Sequence, residues 1–92
     1  MKDVFFNEAK KLGYRSRSAF KLLEINKKFR ILKKGQNALD IGASPGSWSQ
    51  ILSQKVFSSK KRNKILSVDL KDFKPIDNVL NIKKNKIIND HT

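Results

Sequence analysis

The sequence predicts an α/β fold built on one parallel βαβ unit behind a basic helical extension. Three observations carry this. Two short apolar runs, 38–42 and 64–70, bracket a segment with helical spacing. A tight Gly/Pro loop joins the first run to that segment, as at a strand-to-helix turn. The charge is also segregated: residues 1–34 hold eleven Lys/Arg against three acids, and residues 55–64 hold five and none. The basic segments read as solvated faces and the near-neutral blocks between them as buried elements.

Taken in order, Asp3 is positioned to cap a helix over 4–11, with Phe5 and Ala9 four residues apart and Gly13 as its stop. Ser16 or Ser18 is the expected cap of a second helix reaching about Lys28. Ala19, Leu22, Leu23 and, at the helix end, Phe29 fall near helical period on one side of it, while Arg17, Lys21, Glu24 and Lys28 form a row on another. Residues 33–37 form a turn. The run 38–42 is then a strand, apolar enough to be covered on both faces. Residues 48–57 form the helix, with Trp48, Ile51, Leu52 and Val56 inward. Residues 58–63 are a basic loop, and 64–70 the second strand, with an acid near its end. Val79, Leu80 and Ile82 begin a third element. The Lys/Asn-rich tail is either a frayed strand or a disordered end. The expected organisation is one domain: a helical extension over 1–34, a βαβ unit over 35–82 and a polar tail over 83–92.

Composition narrows the function. The 92 residues carry a net charge of +13, which attracts phosphate backbones through counterion release, so a polyanion is the expected partner. A plainer origin is compositional, since Lys outnumbers Arg 17 to 4. Cysteine is absent, which excludes disulfides and cysteine zinc sites, and a single histidine forms no metal cluster. No metal is expected. No apolar run approaches the roughly 20 residues that span a bilayer. The N-terminus has neither a secretory h-region nor the acid-free look of a transit peptide, so an intracellular protein is expected. A chain this short buries only about 60% of its unfolded surface, so its core is expected to be marginal.

The chemistry concentrates in Asp40-Ile41-Gly42-Ala43-Ser44-Pro45-Gly46-Ser47-Trp48, at the carboxyl edge where open α/β sheets bind ligands. The glycine spacing matches neither the dinucleotide fingerprint nor a P-loop, which disfavours an NAD-linked enzyme. It suits a nucleoside with a short charged tail and no phosphate. Asp69, 27 residues after Gly42, ends the second strand where an acid accepts both hydroxyls of a ribose. Taken singly, each residue has a plainer reading. Gly42 and Gly46 are then turn glycines, Trp48 a core residue, Asp69 a strand-end charge and Lys21 a solvated lysine.

In their order, these residues resemble a known family. Tyr14-Arg15-Ser16-Arg17-Ser18-Ala19-Phe20-Lys21-Leu22-Leu23-Glu24-Ile25, followed by Leu39 through Gln50, is similar to the FtsJ/RrmJ-type ribosomal RNA 2′-O-ribose methyltransferases. The lead-in 3–9 and the segment 68–76 are similar too. The resemblance implies a Rossmann-like fold that uses S-adenosylmethionine, truncated after the first βαβ unit. It implies that Gly46 and Trp48 contact the cofactor, that Asp69 holds its ribose, and that Lys21 is the first lysine of a Lys-Asp-Lys-Glu catalytic set. A lysine there orients the 2′-hydroxyl or stabilises its developing charge, with the basic row guiding RNA.

Two departures stand out. Ser47 replaces the family's second glycine. Where the family has an acid against the adenine, the simplest register offers Lys83, Lys84 or Asn85, and Asp90 takes that role if a few residues are inserted. The later members of the catalytic set have no counterpart in the 92 residues. The expectation is therefore an N-terminal portion, inactive alone, with a non-catalytic RNA-binding module as the alternative. The family has mitochondrial, nuclear and cytoplasmic members, so the compartment stays open.

Overall fold

A computed structural model describes residues 4–84, apart from the side chains of Phe5 and Phe6. The elements run α1 (Val4–Leu12), α2 (Ser18–Phe29), β1 (Ala38–Ile41), α3 (Ser47–Lys55), β2 (Ile65–Asp69) and β3 (Leu80–Lys83). The expected cap Asp3, the predicted adenine contact Asp90 and the tail beyond residue 84 lie outside the described residues.

Gly13 stops α1 as predicted. It adopts φ +84°, and the amides of Gly13 and Tyr14 return to the carbonyls of Lys10 and Ala9, at 3.1 and 2.9 Å. Glycine reaches this left-handed angle without the Cβ clash that penalises other residues. Helix α2 starts differently from expectation. Neither Ser16 nor Ser18 caps it: Arg17 holds the cap position and no side chain bonds there. Both hydroxyls are engaged across the chain instead, on Ser47.

β1, β2 and β3 lie side by side in that order, both pairs parallel. Ala38 registers with Ile65, and Leu66 with Leu80. The βαβ unit is therefore present, and the third element is a further parallel strand, reached by an irregular crossover through residues 70–79. Asn63 organises the basic loop before β2. Its side-chain oxygen accepts from the Ser58 amide at 2.7 Å, and its amide donates to the carbonyls of Val56 and Gln36.

Helix α3 covers one face of the sheet and α2 packs against α3. Ile51 sits at the junction with Ala19 and Leu22, while Leu52, Val56 and Ile65 form the layer between α3 and the sheet. Leu32 packs against both clusters. All four predicted inward residues of α3 are buried or half-buried. The other sheet face corrects the expectation that β1 is covered on both sides. Leu39 is 57% exposed and Ile41 72%, because the described helices pack on one side only. By register, Leu66, Val68, Leu80 and Ile82 share that open face.

Candidate cofactor site

The site forms where β1 ends. The amides of Gly42 and Ala43 donate to the Val68 carbonyl, at 2.7 and 3.2 Å, so the chain stays bonded to β2 as it leaves β1. It passes the cis Ser44–Pro45 bond and enters α3 through Gly46, whose φ is +110°. The Gly46 carbonyl accepts the Gln50 amide at 2.9 Å, which begins the helix. A side chain on Gly42 would meet nothing within 4 Å, so this glycine borders open space. One on Gly46 would lie 2.9 Å from both the Arg15 guanidinium and the Ile76 side chain. Gly46 thus turns its α-carbon inward, toward the crossover.

A cavity of about 280 Å³ opens over the loop, lined by Ser18, Asp40 to Pro45, Ser47 and Trp48. Its lining holds one carboxylate and neither lysine nor arginine. Asp69 closes the loop from the strand end: its Oδ2 accepts the Ser44 amide at 2.8 Å and its Oδ1 the Lys71 amide at 2.8 Å. These backbone donors, Lys71 first and Ser44 next, hold the Asp69 carboxyl below its ordinary range. Each oxygen keeps acceptor capacity for a further donor.

Asp40 behaves in the opposite way. Partial burial pushes its carboxyl up, the Ser49 hydroxyl donating at 2.7 Å pulls it down, and the nearby Asp69 charge pushes it up again, for a net rise. Ser49 also pairs with the buried Ser67 hydroxyl.

Lys21 stands on the neighbouring surface. It is exposed, in a second cavity of about 330 Å³ lined by Arg17, Ser18, Phe20, Lys21 and Glu24. Ser18 lines both cavities and joins them. The Trp48 indole Nε1 donates to the Ser18 carbonyl at 2.8 Å. The hydroxyls of Ser16, Ser18 and Ser47 form a triangle with sides of 2.6, 2.7 and 2.8 Å. The helix bearing Lys21 is therefore fastened directly to the loop, and Ser47 spends its hydroxyl on that joint.

Of the predicted site residues, Trp48 lines the loop cavity, Asp69 holds the loop through Ser44 without lining it, Lys21 lines the adjoining cavity, and Gly46 lies on the inner side of the loop. Sequence reasoning missed Arg15, the serine triangle and the Asp40–Ser49 pair. Arg15 sits in a polar connector, where nothing local separates a solvated arginine from one that reaches across the fold.

Comparison with known proteins bears on the fold and the family. The family model of FtsJ-like methyltransferases matches residues 14–92. Over 90 residues the chain is 48% identical to the ribosomal RNA large subunit methyltransferase E of Ehrlichia chaffeensis, covering 98% of this chain and 42% of that protein. It is 45% identical to the Pelagibacter ubique protein of that name over 82 residues, covering 89% and 38%. A crystal structure of a ribosomal RNA methyltransferase from Plasmodium falciparum superposes with a TM-score of 0.70 at 42% identity, covering 86% of this chain and 42% of that one. The chain spans about two-fifths of the length of these relatives. On the loop, the sheet order and these similarities together, the chain belongs to the FtsJ-like methyltransferase family.

Proposed function

We propose that this chain forms the cofactor-binding part of an S-adenosylmethionine-dependent methyltransferase that modifies ribose 2′-hydroxyls of RNA, ribosomal RNA above all. One observation carries the reading. The loop cavity is lined by Asp40 and by no cation, which suits a positively charged sulfonium and opposes a pyrophosphate. The glycine spacing points the same way.

The residues fit this cofactor. Gly42 borders open space, Trp48 walls the cavity, and both Asp69 oxygens can accept ribose hydroxyls while holding the loop. Gly46, expected to touch the cofactor, is instead buried toward the crossover and does not line the cavity, so its part is to shape the loop. When bound, the cofactor supplies an activated methyl group. The chain's own residues do the rest. Asp69 fixes the ribose, and Asp40 sits where a positive charge needs a counterion. Lys21, in the adjoining cavity, orients the acceptor oxygen or stabilises its developing negative charge. The basic row of α2 (Arg17 at its cap, then Lys21 and Lys28) takes RNA phosphates and sets the register of the strand. The 2′-O specificity is supported by a Caenorhabditis elegans relative, 40% identical over 82 residues, named as a tRNA (cytidine(32)/guanosine(34)-2′-O)-methyltransferase.

Calorimetry with S-adenosylmethionine tests the reading. The wild-type chain is expected to bind, and Asp69→Ala to weaken binding at least about tenfold, the size of one lost charge-assisted hydrogen bond. An absence of heat, or equal affinity in the variant, would leave a basic RNA-binding module without a cofactor. The 92 residues alone are expected to give no methyl transfer, and incorporation of labelled methyl into ribosomal RNA would refute that.

A further inference from the structure

Arg15 lies in the connector just before the basic row of α2. Its guanidinium turns into the fold. Nη1 donates to the carbonyls of Pro45 at 3.0 Å and Lys74 at 2.6 Å, and Nη2 donates to the carbonyl of Pro75 at 3.0 Å. Its Cζ lies 5.8 Å from the Phe73 ring centroid. Its backbone amide donates to Gln50 Oε1 at 2.9 Å, and Gln50 Nε2 returns to the Gly13 carbonyl at 3.0 Å. The connector before α2 is therefore locked onto α3 while the guanidinium crosses to two other segments. The absent side chain of Gly46 leaves the space that Nη1 fills.

A planar guanidinium with five donors can bridge several carbonyls at fixed angles, and an ammonium cannot reproduce that fork. One of its carbonyls belongs to the cofactor loop and two belong to the crossover behind it. Asp69 grips the same loop from the other side, through the Ser44 amide. We propose that Arg15 is a positioning residue for the cofactor loop: it holds Ser44–Gly46 against the 73–76 crossover, sets the shape of the cavity, and makes no phosphate contact. The inference rests on the cofactor reading above.

The test compares wild type, Arg15→Lys and Arg15→Ala in the 92-residue chain. Arg15→Lys keeps the charge and carries the result if Arg15→Ala fails to fold. Amide hydrogen exchange without ligand comes first. The Ala43 and Ser44 amides, bonded to the Val68 carbonyl and to Asp69, are expected to exchange about tenfold faster in Arg15→Lys, matching the loss of one hydrogen bond to a charged group. Residues 51–56 should keep their protection. S-adenosylmethionine affinity should fall by about the same factor, while affinity for a single-stranded RNA oligonucleotide stays within about twofold, because the charge is unchanged.

Unchanged exchange in the loop would overturn the proposal. Faster exchange everywhere, including 51–56, would also overturn it by reducing Arg15 to a general stabiliser. Weaker RNA binding with the loop and the cofactor affinity intact would make Arg15 a phosphate contact. If wild type takes up no S-adenosylmethionine, the cofactor reading and the link to affinity both fail, and exchange alone decides whether Arg15 holds the loop.

Discussion

Asp40 and Asp69 show how two carboxylates at one sheet edge come to differ. Asp69 accepts backbone amides that favour its charged form, so its pKa falls. Its contribution to stability is present above the unfolded value of about 3.9 and is lost as pH drops through the folded value. Asp40 is partly buried beside another negative charge, so its pKa rises. Its contribution has the opposite sign: it is full below about 3.9 and is lost as pH climbs through the raised value. At neutral pH the Asp40 charge is therefore a net cost to folding, kept where a cationic ligand would use it. Asp40→Asn retains an oxygen for the Ser49 hydroxyl and removes the charge. Its melting temperature at pH 7 is expected to exceed that of wild type, but by less than the roughly 4–8 °C that 1 kcal/mol gives in a domain of this size, because solvent screens a half-exposed charge. The gain should vanish near pH 3. Thermal melts at the two pH values check this, and a lower melting point at pH 7 would mean that the charge serves the fold itself. Both acids are visible in the sequence, but their opposite environments are not, because burial and backbone donors come from distant segments.

At the scale of elements, the joint between α2 and the start of α3 matters most. It consists of the Trp48–Ser18 hydrogen bond and the serine triangle. The helix periods of α2 and α3 were legible, and so were their inward residues Ala19, Leu22, Ile51 and Leu52. The role of Ser16 and Ser18 was not. Local chemistry makes them helix caps, yet a buried hydroxyl at Ser47, 31 residues from Ser16 and 29 from Ser18, took both. Trp48→Phe keeps most of the apolar ring and deletes the donor. It is expected to cost about 1 kcal/mol, the net worth of one hydrogen bond. It should also uncouple α2 from the loop, seen as faster amide exchange across residues 18–21 with little change in 51–56. Equal exchange in both segments would mean that the serine triangle holds α2 without the indole.

For the whole molecule, the open sheet face governs behaviour. Leu39, Ile41 and Leu80 stand 57%, 72% and 61% exposed on one side of a three-stranded parallel sheet. Parallel sheets are ordinarily covered on both faces, and an apolar surface of this kind favours association. The 92 residues are expected to melt broadly and to bind a hydrophobic dye. Leu39→Lys with Ile41→Lys should reduce dye binding and self-association, measured by sedimentation, without lowering the melting temperature. Those side chains touch solvent already, and surface changes rarely exceed about 0.5 kcal/mol. A large loss of stability would show that this face is packed in solution.

By itself, the sequence determined the parallel α/β plan, the strand-to-helix loop and the position of Trp48 and Asp69 beside it. Hydrophobic period, turn glycines and charge segregation are properties of neighbours along the chain. Only the tertiary structure decided what Arg15 grips, which hydroxyls the serines meet, which side of the loop Gly46 faces and which sheet face the described helices leave bare. Each of these depends on segments far apart in sequence, brought together once burial of Ile51, Val56 and Ile65 has fixed the helices on the sheet.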